Sequence, residues 1–231
     1  INIMNICEQI ILGKASWFIA ALCLSEAIFT VTIWIARGKD LALFCVGIMG
    51  FSFSIYLSQG QHPYPWQLDN SMQALLFLWI GYTYHKYEKA ANIINRTAYI
   101  PIFFLLLICI KIYEYMNDIN MLVWPISINN YPIFLLDILL CSVLMIQIFK
   151  RLPPCKWLEW TGSHSLVYYF LCGGVPLITS RVFERIGLSY HGNYLYVIAA
   201  FITVYIITTI LTWFIYRYLP FTIGKKYERN R

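Results

Sequence analysis

Leu158-Glu159-Trp160-Thr161-Gly162-Ser163-His164-Ser165-Leu166-Val167-Tyr168-Tyr169-Phe170-Leu171-Cys172 joins a polar, glycine-containing segment directly to an aromatic, apolar one. Two serines and a glycine ahead of an apolar run predict a turn at a membrane surface and a helix that dives inward from it. Composition extends that reading to the whole chain. Of its 231 residues 60% are hydrophobic, 18% aromatic and 12% charged, and the charged share is about half that of a soluble domain. A soluble fold so composed would expose a large apolar surface, so lipid is the solvent for much of the chain.

Working outward from that stretch, seven apolar runs approach the length needed to cross a bilayer. They are Trp17–Ala36 (span A), Leu41–Ser58 (B), Asn70–His85 (C), Tyr99–Tyr115 (D), Tyr131–Ile148 (E), Ser165–Thr179 (F) and Asn193–Tyr216 (G). C and F are short, which predicts tilt or a turn borrowed from their flanks. The fold class expected is an all-α polytopic membrane protein, residues 1–231 forming a single transmembrane bundle without repeats or a soluble domain.

Loop charge orients the bundle independently, because cytoplasmic loops collect Lys and Arg. Arg37 and Lys39 follow A; Lys86, Lys89 and Arg96 follow C; Lys150, Arg151 and Lys156 follow E; Arg217, Lys225, Lys226, Arg229 and Arg231 follow G. The opposite side holds only Lys14, Arg181 and Arg185, and Lys111 lies within D. The N-terminal end is therefore expected outside and the C-terminus in the cytoplasm. The net charge of +6 expresses this sidedness and predicts no nucleic-acid partner.

Seven cysteines, an odd number without a CxxC, predict neither a disulfide framework nor a metal site; Cys23, Cys45, Cys109, Cys141 and Cys172 read as small buried apolar residues. The chain starts at Ile1 with no basic n-region or cleavage site, so no signal peptide is predicted and the chain reads as part of something longer. Residues 1–13 suit the tail of an earlier span or an interfacial helix.

Trp17, Trp66, Trp124, Trp157 and Trp160 fall at span ends or in loops, where headgroup anchoring accounts for them. The B–C connection, Gln59-Gly60-Gln61-His62-Pro63-Tyr64-Pro65-Trp66-Gln67-Leu68-Asp69, is kept from being helical by its prolines. Its His62, Tyr64, Trp66 and Asp69 suit sugar stacking and hydroxyl hydrogen bonding; the competing reading makes Asp69 or Asn70 the N-cap of C.

Ionisable groups within spans need a partner or a purpose. Glu26 lies roughly 14 Å into A at about 1.5 Å per residue, with no sequence-local partner, so it either lines a polar cavity or is structural. Lys111 and Glu114 stand i, i+3 near the end of D, and Asp137 lies in the matching third of E. Because D and E are antiparallel neighbours, Lys111 and Asp137 are expected to pair. His85 and His164 border C and F and read as solvated interfacial histidines. No HxxxD, GxSxG, HExxH, phosphate loop or metal-ligand spacing occurs.

Three segments resemble a known family. Glu159-Trp160-Thr161-Gly162-Ser163-His164-Ser165-Leu166, then Tyr168-Tyr169-Phe170-Leu171, resembles the Gly-Lys-Asn-Ser-Leu and Tyr-Leu-Leu-His signature of the acyltransferase 3 family of integral-membrane O-acyltransferases, with Cys172 where the family has His. Pro65-Trp66-Gln67-Leu68-Asp69, followed by Phe77-Leu78-Trp79-Ile80-Gly81-Tyr82, resembles its Pro-Trp and Phe-Leu-Leu-Gly-Tyr helix. Ser16-Trp17-Phe18-Ile19 resembles its Leu-Trp-Phe-Leu helix start.

The resemblance implies a bacterial cytoplasmic (inner) membrane protein of about ten helices. It implies transfer of an acyl group, acetyl from acetyl-CoA or another acyl-CoA as co-substrate, onto a hydroxyl of an envelope or extracellular carbohydrate. The family's catalytic Arg and His belong to a first helix ahead of the matched region, so the chain reads as the C-terminal part of the domain and its catalytic residues are unknown. Substrate-binding candidates are Trp17, Glu26, His62, Trp66, Asp69, Lys111 and Asp137; the partners expected are membrane lipid, acyl donor and carbohydrate acceptor, with no metal. A transporter of a carbohydrate or small metabolite is the alternative, and would show paired broken helices in two related halves. A seven-helix receptor or retinal protein fits the count, but span G has no Lys for a Schiff base.

Overall fold

A computed structural model describes residues 12–13, 16–60, 64–92, 96–188 and 192–223. These divide into two compact units, Ile1–Arg151 and Leu152–Arg231.

The first unit contains α1 (Trp17–Ala36), α2 (Asp40–Leu57), α3 (Leu68–Lys86), the short α4 (Glu88–Ala91), α5 (Ile100–Met116) and α6 (Tyr131–Phe149). A hairpin of β1 (Met121–Val123) and β2 (Ile126–Ile128) joins α5 to α6, with Leu122 opposite Ser127. This small sheet is the exception to the all-α expectation. Arg37 and Gly38 end α1 at φ 50° and 70°, conformations that reverse the chain into α2. Pro132 in the first turn and the Asn130 side chain, accepting from the Ile133 amide at 3.2 Å, start α6.

α2 packs most extensively on α3, and small residues allow the approach. A Cβ placed on Gly50 would stand 2.9 Å from the Met72 carbonyl oxygen and 2.8 Å from Leu75 Cδ1. Gly47 and Ser54 continue that buried stripe. Two aromatic-aliphatic clusters flank it, one of Phe29, Leu43 and Leu75, the other of Phe51, Leu76 and Phe134.

The distribution of polarity is the reverse of a soluble protein's. Gln67 at the start of α3 and Asp69, Asn70, Ser71 and Gln73 on it are buried, while Trp34, Ile35, Leu105 and Phe149 on other helices of the unit are exposed. Such an arrangement is stable only where the surrounding solvent is itself apolar. Among the described residues five helices are long and apolar enough to cross a membrane, six if a bent pair in the second unit counts as one span. Span C, realised as the 19-residue α3, is long enough but too polar to qualify, because its polar face is turned into the unit.

The second unit holds α7 (Lys156–Ser163), α8 (Ser165–Leu171), α9 (Gly174–Arg185) and α10 (Tyr194–Tyr218). Here the sequence expectation needs correction: the segment from Leu158 to Ser163 is helical, and the break falls at His164. Span F is likewise two helices, α8 and α9, bent by 48°. Hydroxyl pairs fasten α7 and α8 to α10, Thr161 to Tyr205 at 2.7 Å and Tyr168 to Thr209 at 2.6 Å.

Cys23, Cys45, Cys109, Cys141 and Cys172 are exposed, against the expectation of burial. In a bilayer the exposed helix face is the apolar one, so a thiol there loses nothing by facing outward.

Candidate functional site

The polar face of α3 ends against a cavity of about 210 Å³ in the first unit. Trp17 and Ser25 of α1, Asn70, Gln73 and Phe77 of α3, and Phe134 of α6 are among its walls. Trp124, at the tip of the β hairpin, stacks on Trp17 with ring centroids 5.8 Å apart and planes 15° from parallel. The same indole donates its Nε1–H to Gln67 Oε1 at 3.1 Å. Gln67 Oε1 also accepts from Asn70 Nδ2 at 3.4 Å.

That chain of contacts fixes the amide orientations. An indole N–H can only donate, so Gln67 presents oxygen; an oxygen can only accept, so Asn70 presents its NH₂. Asn70 Oδ1 is left buried and without a partner, as is Gln73 Nε2. Asn70 is 5% and Gln73 3% exposed. Ser25, another wall residue, donates to the Leu22 carbonyl at 2.9 Å, which leaves its oxygen lone pairs. No ionisable side chain lines the cavity among the described residues. Its open surface is therefore apolar and aromatic, with the polar atoms of Ser25, Asn70 and Gln73 set back in the wall.

The residues picked out from sequence do not converge. Trp17 is in the wall. Asp69 is buried one residue before Asn70 but does not line the cavity. Neither Asp69 nor Asn70 caps α3: the capping position is Gln67, at φ 52°, which follows Trp66 at φ 54° in a tight turn begun by Pro65. Trp66 is exposed and outside the cavity wall. Glu26 is exposed on α1 beside the buried Ser25 and is not part of this cavity's wall. His62 lies outside the described residues.

Lys111 and Asp137 form a separate ionic cluster. Lys111 Nζ lies 2.9 Å from Asp137 Oδ2 and 2.9 Å from Glu114 Oε2. Lys111 and Glu114 border a polar cleft with Tyr115, Asp118 and Asn120, distinct from the aromatic cavity.

At the opposite end of α3, Lys86 pairs with Asp40 at 2.6 Å and Lys150 with Glu88 at 2.7 Å. The Lys150 hydrogen bond and charge hold the Glu88 carboxyl below the usual carboxylate range. Glu88, and then Tyr84, raise Lys150 in return.

In the second unit His164 is packed between rings rather than solvated, 4.3 Å from Trp160 and 4.1 Å from Tyr216. Its Nδ1 lies 2.6 Å from the Trp160 carbonyl, an acceptor only, so Nδ1 carries the proton. Cys172 borders a cavity of about 400 Å³ with Ser165, Tyr168 and Tyr205. No cluster of three metal-ligating side chains occurs among the described residues.

No family model, curated protein or solved structure matches this chain.

The sequence reading did not bring together Ser25, Asn70, Gln73 and Trp124 around this cavity. A signal for the amides was available: Gln67, Asn70 and Gln73 recur every three residues on one face of an apolar span. The Trp17–Trp124 stack had none, since it joins residues far apart in sequence through the hairpin turn.

Proposed function

We propose that this chain belongs to a membrane-bound O-acyltransferase that moves an acyl group, acetyl from acetyl-CoA, onto a hydroxyl of an envelope or extracellular carbohydrate. The carrying observation is the uncharged cavity between Trp17, Phe77 and Phe134 with the unpaired Asn70 and Gln73 amides. Aromatic faces and neutral hydrogen-bonding groups suit a sugar, and the three segments that resemble the acyltransferase 3 family supply the reaction class. α1 and α3, which build the cavity, carry two of those segments.

In this reading the bundle crosses the membrane seven times, α3 and the bent pair α8/α9 completing the five apolar helices. The 13-to-3 division of loop Lys and Arg puts the Trp17–Trp124 end outside, where an external acceptor would arrive. The cavity orients the acceptor. Abstraction of the hydroxyl proton needs a base within about 3 Å, and the resemblance assigns that base to the family's first helix rather than to the cavity wall. Holding a weak nucleophile against an already activated thioester is itself a large part of such catalysis.

The test is transfer of radiolabelled acetyl from acetyl-CoA to envelope carbohydrate by membranes containing the full-length protein. Labelled carbohydrate that appears only with the protein supports the proposal. Uptake of free carbohydrate without labelling overturns it in favour of transport.

A further inference from the structure

Among the described wall residues of the cavity between α1, α3 and α6, Val123 alone lies outside a helix, at the end of β1. Next to it Trp124 stacks on Trp17, the first residue of α1, and donates to Gln67, the capping residue of α3. One indole thus bridges the N-terminal ends of two cavity helices. The hairpin that carries it is held unevenly. At its base Asn120 Nδ2 donates to Ser127 Oγ at 3.0 Å, the Asn129 amide donates to the Asn120 carbonyl at 3.1 Å, and Met121 and Ile128 pack against the Phe51, Leu76 and Phe134 cluster. At its tip, Val123 pairs with the buried Ile126, and Trp124, 45% exposed, is fastened by one hydrogen bond and one ring stack. Two strands of three residues are too short to be stable alone, so the position of the tip depends on what it touches.

We propose that the β1–β2 hairpin is a gate on the Trp17 end of the cavity, turning about its base, with Trp124 as the latch. On opening, the indole leaves Trp17 and Gln67, Val123 leaves the wall, and the cavity gains a mouth between the N-terminal ends of α1 and α3. No polar group is stranded by that movement: Gln67 Oε1 keeps Asn70 Nδ2 as a donor, and the freed indole N–H meets water. Ile126 gives up its burial, and that loss of apolar contact returns the hairpin to the shut position. The inference rests on the reading of the cavity as the acceptor site for what passes the gate: carbohydrate enters with the hairpin open and is enclosed when it shuts.

Thiol labelling of the full-length protein in detergent reads the gate without substrate. On a background without native cysteines, Ala21→Cys places a thiol at a buried wall position one turn from Trp17. Ser54→Cys places one in the buried packing of α2 as a control. A charged maleimide should modify Ala21→Cys slowly, at a rate that follows the open population. Adding Trp124→Phe, which keeps a ring and removes the donor, should accelerate labelling about fivefold, the effect of losing one hydrogen bond. Trp124→Ala, which also removes the stack, should accelerate it about thirtyfold. Neither change should speed labelling of Ser54→Cys. Unchanged labelling of Ala21→Cys with Trp124→Ala overturns the gate, and so does equal acceleration of Ser54→Cys, the mark of general loosening. The KM for carbohydrate of Trp124→Ala, expected to rise as the shut state is lost, tests the acceptor reading separately. Accelerated labelling with an unchanged KM upholds the gate and overturns the cavity as the acceptor site.

Discussion

Lys111 of α5 and Asp137 of α6 meet at 2.9 Å, with Glu114 held on the same ammonium. One cation thus answers two carboxylates and ties together the helices joined by the hairpin that delivers Trp124. Reversing either charge alone is expected to lower folded stability by about 1–3 kcal/mol. That is less than the 3–5 or so for a fully buried pair, because the Lys111 side chain is 54% exposed. Lys111→Asp with Asp137→Lys should recover much of the loss in a thermal unfolding assay. Additive losses in the double variant would show that the two sites act independently.

The close approach of α2 to α3 predicts unequal effects of the same substitution. Gly50→Ala forces a methyl against the Met72 carbonyl and should cost about 1–3 kcal/mol as overpacking. Gly81→Ala meets nothing within 4 Å and should be neutral or slightly stabilising. Melting temperatures of the two proteins in one detergent decide it, and equal shifts would refute the packing assigned to Gly50.

The Glu88–Lys150 pair predicts a dependence on acid. Glu88 is depressed in the folded protein, so its contribution is present above the unfolded carboxyl's pKa and is lost as pH falls through the lower, folded one. Lys150→Met should therefore lower the melting temperature at pH 7 and leave it unchanged once Glu88 is protonated in both states. The effect is small because both groups are solvated. A difference that persists undiminished in strong acid would assign it to lost packing of the Lys150 stem.

Sidedness can be read by labelling. On a background without native cysteines, a Cys at Asn117 should react with an impermeant maleimide added outside intact cells, and a Cys at Lys89 or Arg151 should not. The reverse pattern would invert the proposed topology.

Span positions were legible because length and apolar content act locally: Trp17–Ala36 is found as read, and Tyr131–Ile148 is extended by one residue to Phe149. Breaks and burial were not. His164 interrupts a helix that Gly162 was expected to delay, and the thiols face outward because exposure in lipid carries no penalty for an apolar group. The Lys111–Asp137 pair was legible from antiparallel neighbours of matching depth. The cavity was only half legible, since Gln67 and Asn70 look like ordinary polar interruptions until Trp124, folded back by the hairpin, fixes which amide atoms those two present.

The most direct test of the central claim, that the aromatic cavity holds the acceptor, is the steady-state acetyl transfer rate of the full-length protein with each substrate varied in turn. Trp17→Ala should raise the KM for carbohydrate about tenfold, the loss of an aromatic face of the cavity, and leave the KM for acetyl-CoA unchanged. An equal rise in both constants, or a rise for acetyl-CoA alone, would contradict the account.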